Sequence, residues 1–308
     1  DIAKKVGCSP SSVSKYITKH GYVSKQLGEQ IEQAMIQADY HYNGIARSLS
    51  NGTNNRIGLM VPFLDHPYFQ KLVSAVSEAA SKMDKEIVIL PTNYNSKKEQ
   101  EYLEELEHHL FSSLIVTSHN LSISTFNSYQ RFGPIVLFDD RDKTPYRCIS
   151  TNREQEFCLV FSKLRQAGKN KIGLLFIRDS TQSRTTAEAL SAYKKVFNCE
   201  PQENLIAYSG FSPQDGYSTI DRFYKQESNI QALLTESDIS AAGAIKYVRE
   251  RDLPITVIGQ GDQLLSKLLN FSSIDQHLTE MGQKAVDLAV KESSLKQQIT
   301  INFNINWR

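Results

Sequence analysis

At 308 residues the chain is long enough for two or three domains, and 40% hydrophobic with 22% charged content is that of an ordinary globular protein, not a disordered one. A formal charge of +1 excludes a chain that is basic or acidic throughout, and no apolar run approaches the roughly 20 residues of a membrane span. Four scattered cysteines, Cys8, Cys148, Cys158 and Cys199, show no paired spacing and read as reduced thiols of a cytosolic protein. Adjacent His108-His109 reads as a solvated helix end, because neighbours on a helix diverge by about 100° and cannot face one metal ion. The chain starts at Asp1 without Met, so its first residues settle nothing about targeting.

The first segment has the pattern of a DNA reader. Ile2, Ala3 and Val6 share one helical face, and Gly7 suits a turn that a side chain would resist. A second helix starts at Ser9, whose hydroxyl suits the N-cap, followed by Pro10 at the position that needs no N–H. Val13, Tyr16 and Ile17 point inward. That leaves Pro10, Ser11, Ser14 and Lys15 on the outer face, which in a helix-turn-helix lies in the major groove. A third helix from about Ser24 carries Leu27, Ile31, Met35 and Ala38 towards a small core. Spacing alone is equally that of a three-helix cap with no ligand. Charge favours DNA modestly: residues 1–56 hold seven Lys/Arg and four Asp/Glu, so the segment is +3 and the remainder −2.

After the polar linker Asn51-Gly52-Thr53-Asn54-Asn55 the pattern changes to short apolar runs alternating with amphipathic stretches. Ile57–Val61, Ile87–Leu90, Leu114–Thr117 and Ile135–Phe138 read as strands, with a helix carrying Tyr68, Leu72, Val76, Ala79, Ala80 and Met83 among them. The pattern restarts at Ile172–Phe176 and continues through Leu205–Tyr208, Ala232–Leu234 and Ile255–Ile258. Apolar strands separated by helices imply parallel, doubly wound sheets. Two such halves, with a first crossover at Arg147–Asn152, make two α/β lobes around a cleft, and clefts at the carboxyl ends of parallel strands bind small molecules.

Ser9-Pro10-Ser11-Ser12-Val13-Ser14-Lys15, Gly21-Tyr22-Val23-Ser24, Asn43-Gly44-Ile45-Ala46-Arg47-Ser48-Leu49 and Ile57-Gly58-Leu59-Met60-Val61-Pro62 closely resemble the lactose/galactose repressor family. The resemblance implies an all-α helix-turn-helix headpiece plus an α/β two-lobed, periplasmic-binding-protein-like effector domain with parallel doubly wound sheets. It implies a headpiece over residues 1–42, a hinge helix and linker over 43–56, and an effector-binding and dimerisation domain over 57–308. Operator contacts are then expected from Ser9, Pro10, Ser11, Ser12, Ser14 and Lys15, and from Asn43, Ala46, Arg47 and Leu49. Leu49 matches a minor-groove wedge, physically sensible because partial unstacking kinks the duplex. Lys15 stands where Arg is commoner, exchanging a bidentate fork for a point charge, and Tyr42 stands where Pro is usual.

In the effector region the resemblance extends to His66-Pro67-Tyr68-Phe69, to Asp139, to Phe211 as an aromatic platform and to Gln276 in Ser273-Ile274-Asp275-Gln276. A carboxylate, an amide and a ring suit a sugar, the polar groups taking hydroxyls and the ring a C–H face. Taken singly, each has a plainer reading: a Tyr-Phe pair opening a helix is core, and an Asp after a strand caps a turn. Two positions depart from the family. Ala189 stands where Arg is common and Gly261 where Asp is expected, with Arg184 and Asp262 as neighbouring substitutes. Thr117-Ser118-His119-Asn120-Leu121 and Glu99–Glu107 look similar to sucrose-operon repressors, which implies a sucrose- or fructoside-like effector. Gln70-Lys71-Leu72-Val73-Ser74 lacks the Arg-Gly pair of catabolite-control members, so a phosphorylated carrier protein is not expected as partner.

The chief rival is an enzyme on the same scaffold. Gly259-Gln260-Gly261 lacks the third glycine of a dinucleotide fingerprint, no Gly-x4-Gly-Lys-Ser/Thr loop occurs, and no Ser/His/Asp order stands out. A periplasmic sugar-binding protein has no use for a helix-turn-helix. The reading is a cytoplasmic, homodimeric repressor of a carbohydrate-utilisation operon, needing no cofactor or metal. Its partners are a pseudo-palindromic operator and a small sugar that releases it, a corepressor role being the alternative. Dimerisation follows because one helix-turn-helix reads only a half-site.

Overall fold

The computed structural model describes residues 2–18, 21–40, 54–138, 147–291 and 297–308. The chain forms two compact units, Asp1–Asn54 and Asn55–Arg308.

The first unit contains helices α1 (Ile2–Val6), α2 (Pro10–Thr18) and α3 (Lys25–Gln37), closed over Ile2, Ala3, Val13, Ile31 and Ala34. Gly7 has φ of +71°, and the Cys8 amide reaches back to the Ala3 carbonyl at 3.0 Å, the turn expected of a glycine there. The Ser9 hydroxyl accepts from the Ser12 amide at 3.1 Å, and the Ser24 hydroxyl accepts from the Leu27 amide at 3.4 Å. Ala38 differs from the expectation. It is the exposed C-cap of α3, and its core place is taken by Ala34 together with Gly28, whose missing side chain admits the Tyr16 ring.

The second unit holds two six-stranded sheets. The first contains β1 (Arg56–Val61), β2 (Glu86–Pro91), β3 (Ser113–Val116), β4 (Ile135–Phe138), β5 (Arg147–Ser150) and β11 (Gln298–Thr300), in the order β11-β5-β4-β3-β1-β2. The second contains β6 (Ile172–Phe176), β7 (Ile206–Tyr208), β8 (Ala232–Thr235), β9 (Thr256–Gln260), β10 (Ser272–Asp275) and β12 (Asn304–Asn306), in the order β12-β10-β9-β8-β6-β7. Among the described residues only β12 pairs antiparallel. Strands β3, β4, β6 and β8 are buried along their whole length because helices cover both faces, which is why they read as continuous apolar runs.

Helices α4 (Pro67–Ser81), α5 (Ser96–Glu107) and α6 (Ile123–Tyr129) belong to the first lobe. The second carries α7 (Arg153–Gln166), α8 (Arg184–Phe197), α9 (Pro213–Gln226), α10 (Asp238–Glu250) and α11 (Leu264–Leu268). The last helix, α12 (Leu278–Val290), returns to the first lobe, burying Leu278, Met281 and Ala285 with Ile57, Leu59 and Val76. Met83 lies beyond the end of α4 and is exposed, so that helix is shorter than its apolar pattern suggests.

Residues 147–150 are strand β5, so the first crossover is confined to Thr151 and Asn152. Two further crossings follow, at Gln276-His277 and at residues 301–303. The three lie together: the Ile301 amide donates to the Ser150 carbonyl at 2.8 Å, and Asn304 Nδ2 lies 3.0 Å from His277 Nε2. His277 itself adopts φ of +52°, with its amide held by Asp275 at 2.9 Å.

Candidate functional site

In the headpiece, Pro10, Ser11, Ser14 and Lys15 are exposed on α2 while Val13 is buried beneath them, as the helical spacing requires. Ser9 and Ser12 have a structural task as well, their hydroxyls lying 3.0 Å apart at the start of the helix. Tyr22, 90% exposed, stands just beyond α2 and was not singled out by spacing, since it belongs to no helical face. Asn43, Ala46, Arg47 and Leu49 lie outside the described residues, and so does Asp139.

Between the two lobes lies a cavity of about 380 Å³. The first lobe contributes Phe63, His66, Tyr68, Phe69, Tyr94 and the Thr117–His119 segment; the second contributes Arg153, the Ile177–Glu188 segment, Glu236, Gln260 and Gln276. Arg178 follows β6, Glu236 follows β8, Gln260 ends β9 and Gln276 follows β10, so the wall is built from the carboxyl ends of parallel strands.

His66 is 4% exposed and caps α4, its Nδ1 accepting from the Tyr68 amide at 3.2 Å. A neutral ring accepting at Nδ1 carries its proton on Nε2, and that buried nitrogen has no hydrogen-bond partner among the described residues. Burial lowers its pKa to about 4, against the opposing pull of Asp65. Tyr68 and Phe69 line the cavity, the Tyr68 hydroxyl accepting from Arg153 Nη2 at 3.2 Å. Phe211, from the loop after β7, packs its ring 4.4 Å from that of His66 and 5.8 Å from that of Phe63. It is not among the residues that line the cavity, so the ring expected as a platform packs on these rings instead.

Tyr94 has φ of +55° and follows Asn93 at +49°, two consecutive left-handed residues of which a bulky aromatic is the uncommon one. Its ring carries the Arg178 guanidinium 3.7 Å from the centroid, and its hydroxyl accepts from Ser118 Oγ at 3.2 Å. Burial raises the Tyr94 pKa, with Arg178 and Ser118 opposing. The Ser118–Leu121 loop is set by Glu99 on α5, whose fully buried carboxylate accepts from the amides of Asn120 at 2.9 Å and Leu121 at 2.8 Å. The two stretches that resembled sucrose-operon repressors therefore form one structural device.

Glu236 accepts from the Ile177 amide at 2.7 Å, is partly buried and lines the cavity. Desolvation raises its pKa, although the Ile177 amide, Arg153 and Arg178 pull it down. Gln276 Nε2 donates to Glu156 Oε2 at 3.2 Å and to Gln260 Oε1 at 3.4 Å, fixing the amide at the cavity floor. Arg184 lines the cavity with its guanidinium 2.8 Å from Glu188.

Asp262 is placed differently from the expectation. Its carboxylate lies 2.7 Å from Arg308 Nη2 and 3.2 Å from Lys267 Nζ, and it is not part of the cavity wall. Burial works to raise its pKa, but these two cations outweigh that and hold it low. The neighbouring departure has a backbone cause: Gly261 has φ of +114°, where a side chain would be strained, and its amide is tied to the Ile274 carbonyl at 2.7 Å. Ala189 is fully buried in the α7–α8 core and does not line the cavity. Sequence reasoning missed Phe63, Tyr94, Arg153, Arg178, Glu236 and Gln260. Their position at strand ends was the available signal.

This arrangement of donors, acceptors and rings is suited to binding. Among the described residues no group of three or more metal-ligating side chains converges, and no helix is long and apolar enough to cross a membrane.

Comparison with known proteins agrees with both parts. Residues 54–303 match the model described as periplasmic binding proteins and sugar binding domain of LacI family, and residues 1–43 match that of bacterial regulatory proteins, lacI family. The chain is 30% identical to Catabolite control protein B of Bacillus subtilis (strain 168), over 98% of this chain and 97% of that protein. It is 24% identical to the Ribose operon repressor of Halalkalibacterium halodurans, over 99% of this chain and 93% of that protein. Among solved structures, the lac repressor dimer bound to operator and the anti-inducer ONPF superposes with a TM-score of 0.80 at 21% identity, covering 99% and 96% of the two chains.

Proposed function

The chain belongs to the lacI family of bacterial regulatory proteins and is a DNA-binding transcriptional repressor with a sugar-binding type of effector domain, and on that premise we propose what it senses and how it responds. It is a cytoplasmic homodimer on a pseudo-palindromic operator of a carbohydrate-utilisation operon, released by a small sugar of the sucrose or fructoside class. The observation that carries this reading is the cavity between the lobes, lined by alternating donors, acceptors and aromatic rings, in a chain whose first unit exposes a reading helix. Sugars need that mixture, because every hydroxyl both donates and accepts while the ring C–H faces are apolar. The proposed division is a headpiece over 1–42, a hinge and linker over 43–56 and an effector domain over 57–308, although Arg56 is already the first residue of β1.

His66, Tyr68, Phe69, Arg184 and Gln276 are proposed to contact the effector, with Asp139 joining them and Phe211 holding the His66 and Phe63 rings in place. Operator contacts are assigned to Ser9, Pro10, Ser11, Ser12, Ser14, Lys15, Asn43, Ala46, Arg47 and Leu49. Calorimetry of sucrose with and without operator duplex tests the response. Linkage requires that a sugar weakening operator binding be weakened by operator to the same factor. Tighter sucrose binding in the presence of operator makes the sugar a corepressor, and equal binding removes it as the signal.

Leu49→Ala is expected to lower affinity for the operator by roughly 2 kcal/mol, about thirtyfold, because the wedge contact exists only on kinked DNA. Affinity for random duplex at matched salt is expected to stay, since that term comes from phosphate charge. Equal loss on both duplexes removes Leu49 from the wedge role.

A further inference from the structure

We infer that Arg178 and Glu236 are the anchoring pair of the effector and that the pair selects a neutral polyhydroxylated ligand; the inference deepens the effector reading above and rests on it. The two side chains stand at the ends of neighbouring strands. Strands β6 and β8 pair with Leu175 opposite Thr235, the Glu236 amide donates to the Leu175 carbonyl at 3.0 Å, and the Ile177 amide donates to the Glu236 carboxylate at 2.7 Å. Glu236 directly follows β8 and Arg178 stands two residues past β6, and both line the same cavity.

Each side chain is fixed yet incompletely used. The Arg178 guanidinium lies on the Tyr94 ring at 3.7 Å, which restrains its plane, while its buried Nη1 has no hydrogen-bond partner among the described residues. Glu236 is held by the Ile177 amide. A purely structural role would close the two into an ion pair. No such pair forms among the described residues, although the charge of Arg178 pulls the Glu236 pKa down. A guanidinium that only donates and a carboxylate that accepts, lining one cavity, match a hydroxyl that accepts from one and donates to the other. Leaving the buried Arg178 Nη1 unmet is costly, so a ligand group that accepts from it gains accordingly.

The surroundings decide the charge of the ligand. Arg153, Arg178 and Arg184 are matched by Glu156, Glu188 and Glu236, with Glu188 already 2.8 Å from Arg184 and Glu156 behind Gln276. Counting Glu156 behind the lining, the charges of the described residues balance, and the Asp139 proposed for the same site adds a carboxylate, not a cation. An anionic group adds charge that this wall has no surplus to neutralise, whereas hydroxyls use the donors and acceptors as they stand.

The test is calorimetry on the full-length protein with sucrose, fructose and ribose, and with fructose 6-phosphate as the anionic counterpart. For the neutral sugar that the wild type binds, Arg178→Met and Glu236→Gln are each expected to lose about tenfold or more in affinity with unchanged melting temperature. Arg178→Lys, which keeps the charge without the fork, is expected to lose less than Arg178→Met. Wild-type affinity in both folded variants overturns the anchor and leaves the sugar reading standing. Preference for fructose 6-phosphate over every neutral sugar overturns the selectivity. No binding of any of these compounds by a wild type that still binds operator ends the sugar reading, and the anchor with it.

Discussion

Gly216→Ala and Gly243→Ala are each expected to destabilise the effector domain by roughly 3 kcal/mol or more, at the upper end of what overpacking costs. Helices α9 and α10 cross with these two glycines facing backbone of the opposite helix. An added Cβ at Gly216 collides with the Ser240 carbonyl, and one at Gly243 collides with the Pro213 carbonyl. The obstacle is main chain in both cases, so no rotamer change relieves it; the helices must separate and open the core of Leu175, Ile220, Phe223, Leu233 and Tyr247. Urea unfolding of the effector domain checks the cost, and a loss under about 1 kcal/mol in either variant shows that the crossing is looser than described.

Acidification is expected to act on stability through two buried groups with opposite signs. His66 has its pKa lowered to about 4 by burial, with Asp65 opposing. The unfolded ring takes a proton near pH 6.5 and the native ring does not, so the stability tied to His66 is full above that pH and is lost as the pH falls towards 4, about 3 kcal/mol in the limit. Asp238 behaves in reverse. Burial raises its pKa to about 6, against bonds from Ser273 and Gln263, so the native state holds this proton more tightly than the unfolded one. Its contribution grows as the pH falls from 6 towards 3.8, again by about 3 kcal/mol in the limit. In the wild type the two slopes largely offset each other between pH 7 and 5. Unfolding free energies at those two values are expected to rise on acidification in His66→Gln relative to wild type, and to fall in Asp238→Asn. Parallel slopes in all three proteins assign the titrations elsewhere.

The headpiece was legible because its signals are local. Gly7, Ser9, Pro10 and Ser24 each act within a few residues, and the structure puts each at the turn or cap that its chemistry suits. Central strands were legible for a related reason: burial on both faces leaves an uninterrupted apolar run, as at Ile172–Phe176. The cavity was only half legible. His66, Tyr68, Phe69, Arg184 and Gln276 line it, but Arg178 and Glu236 carried only the signal of their place after strands, which is the same whether a charged residue meets solvent or a ligand. Asp262 misled for the same reason, since nothing nearby in sequence announces that Arg308 and Lys267 claim its carboxylate. Gly216 and Gly243 also gave no sign, their necessity arising where two distant helices touch.

The three chain crossings at Thr151-Asn152, Gln276-His277 and residues 301–303 have a mechanical consequence. Three connections lying together leave the lobes one easy motion, rotation about the line that they define. Under such a rotation a side chain travels in proportion to its lever arm. Gln276 sits on a crossing and hardly moves, so a bond from it to the effector is made alike with the cleft open or shut. A contact equal in both states adds affinity and shifts no population. Arg178 on Tyr94, and Phe211 on Phe63 and His66, bridge opposite lobes, so whatever these contacts give is present only when the cleft is shut. Strength of binding and strength of response are therefore set at different radii from the same axis, and substitutions are free to tune one without the other.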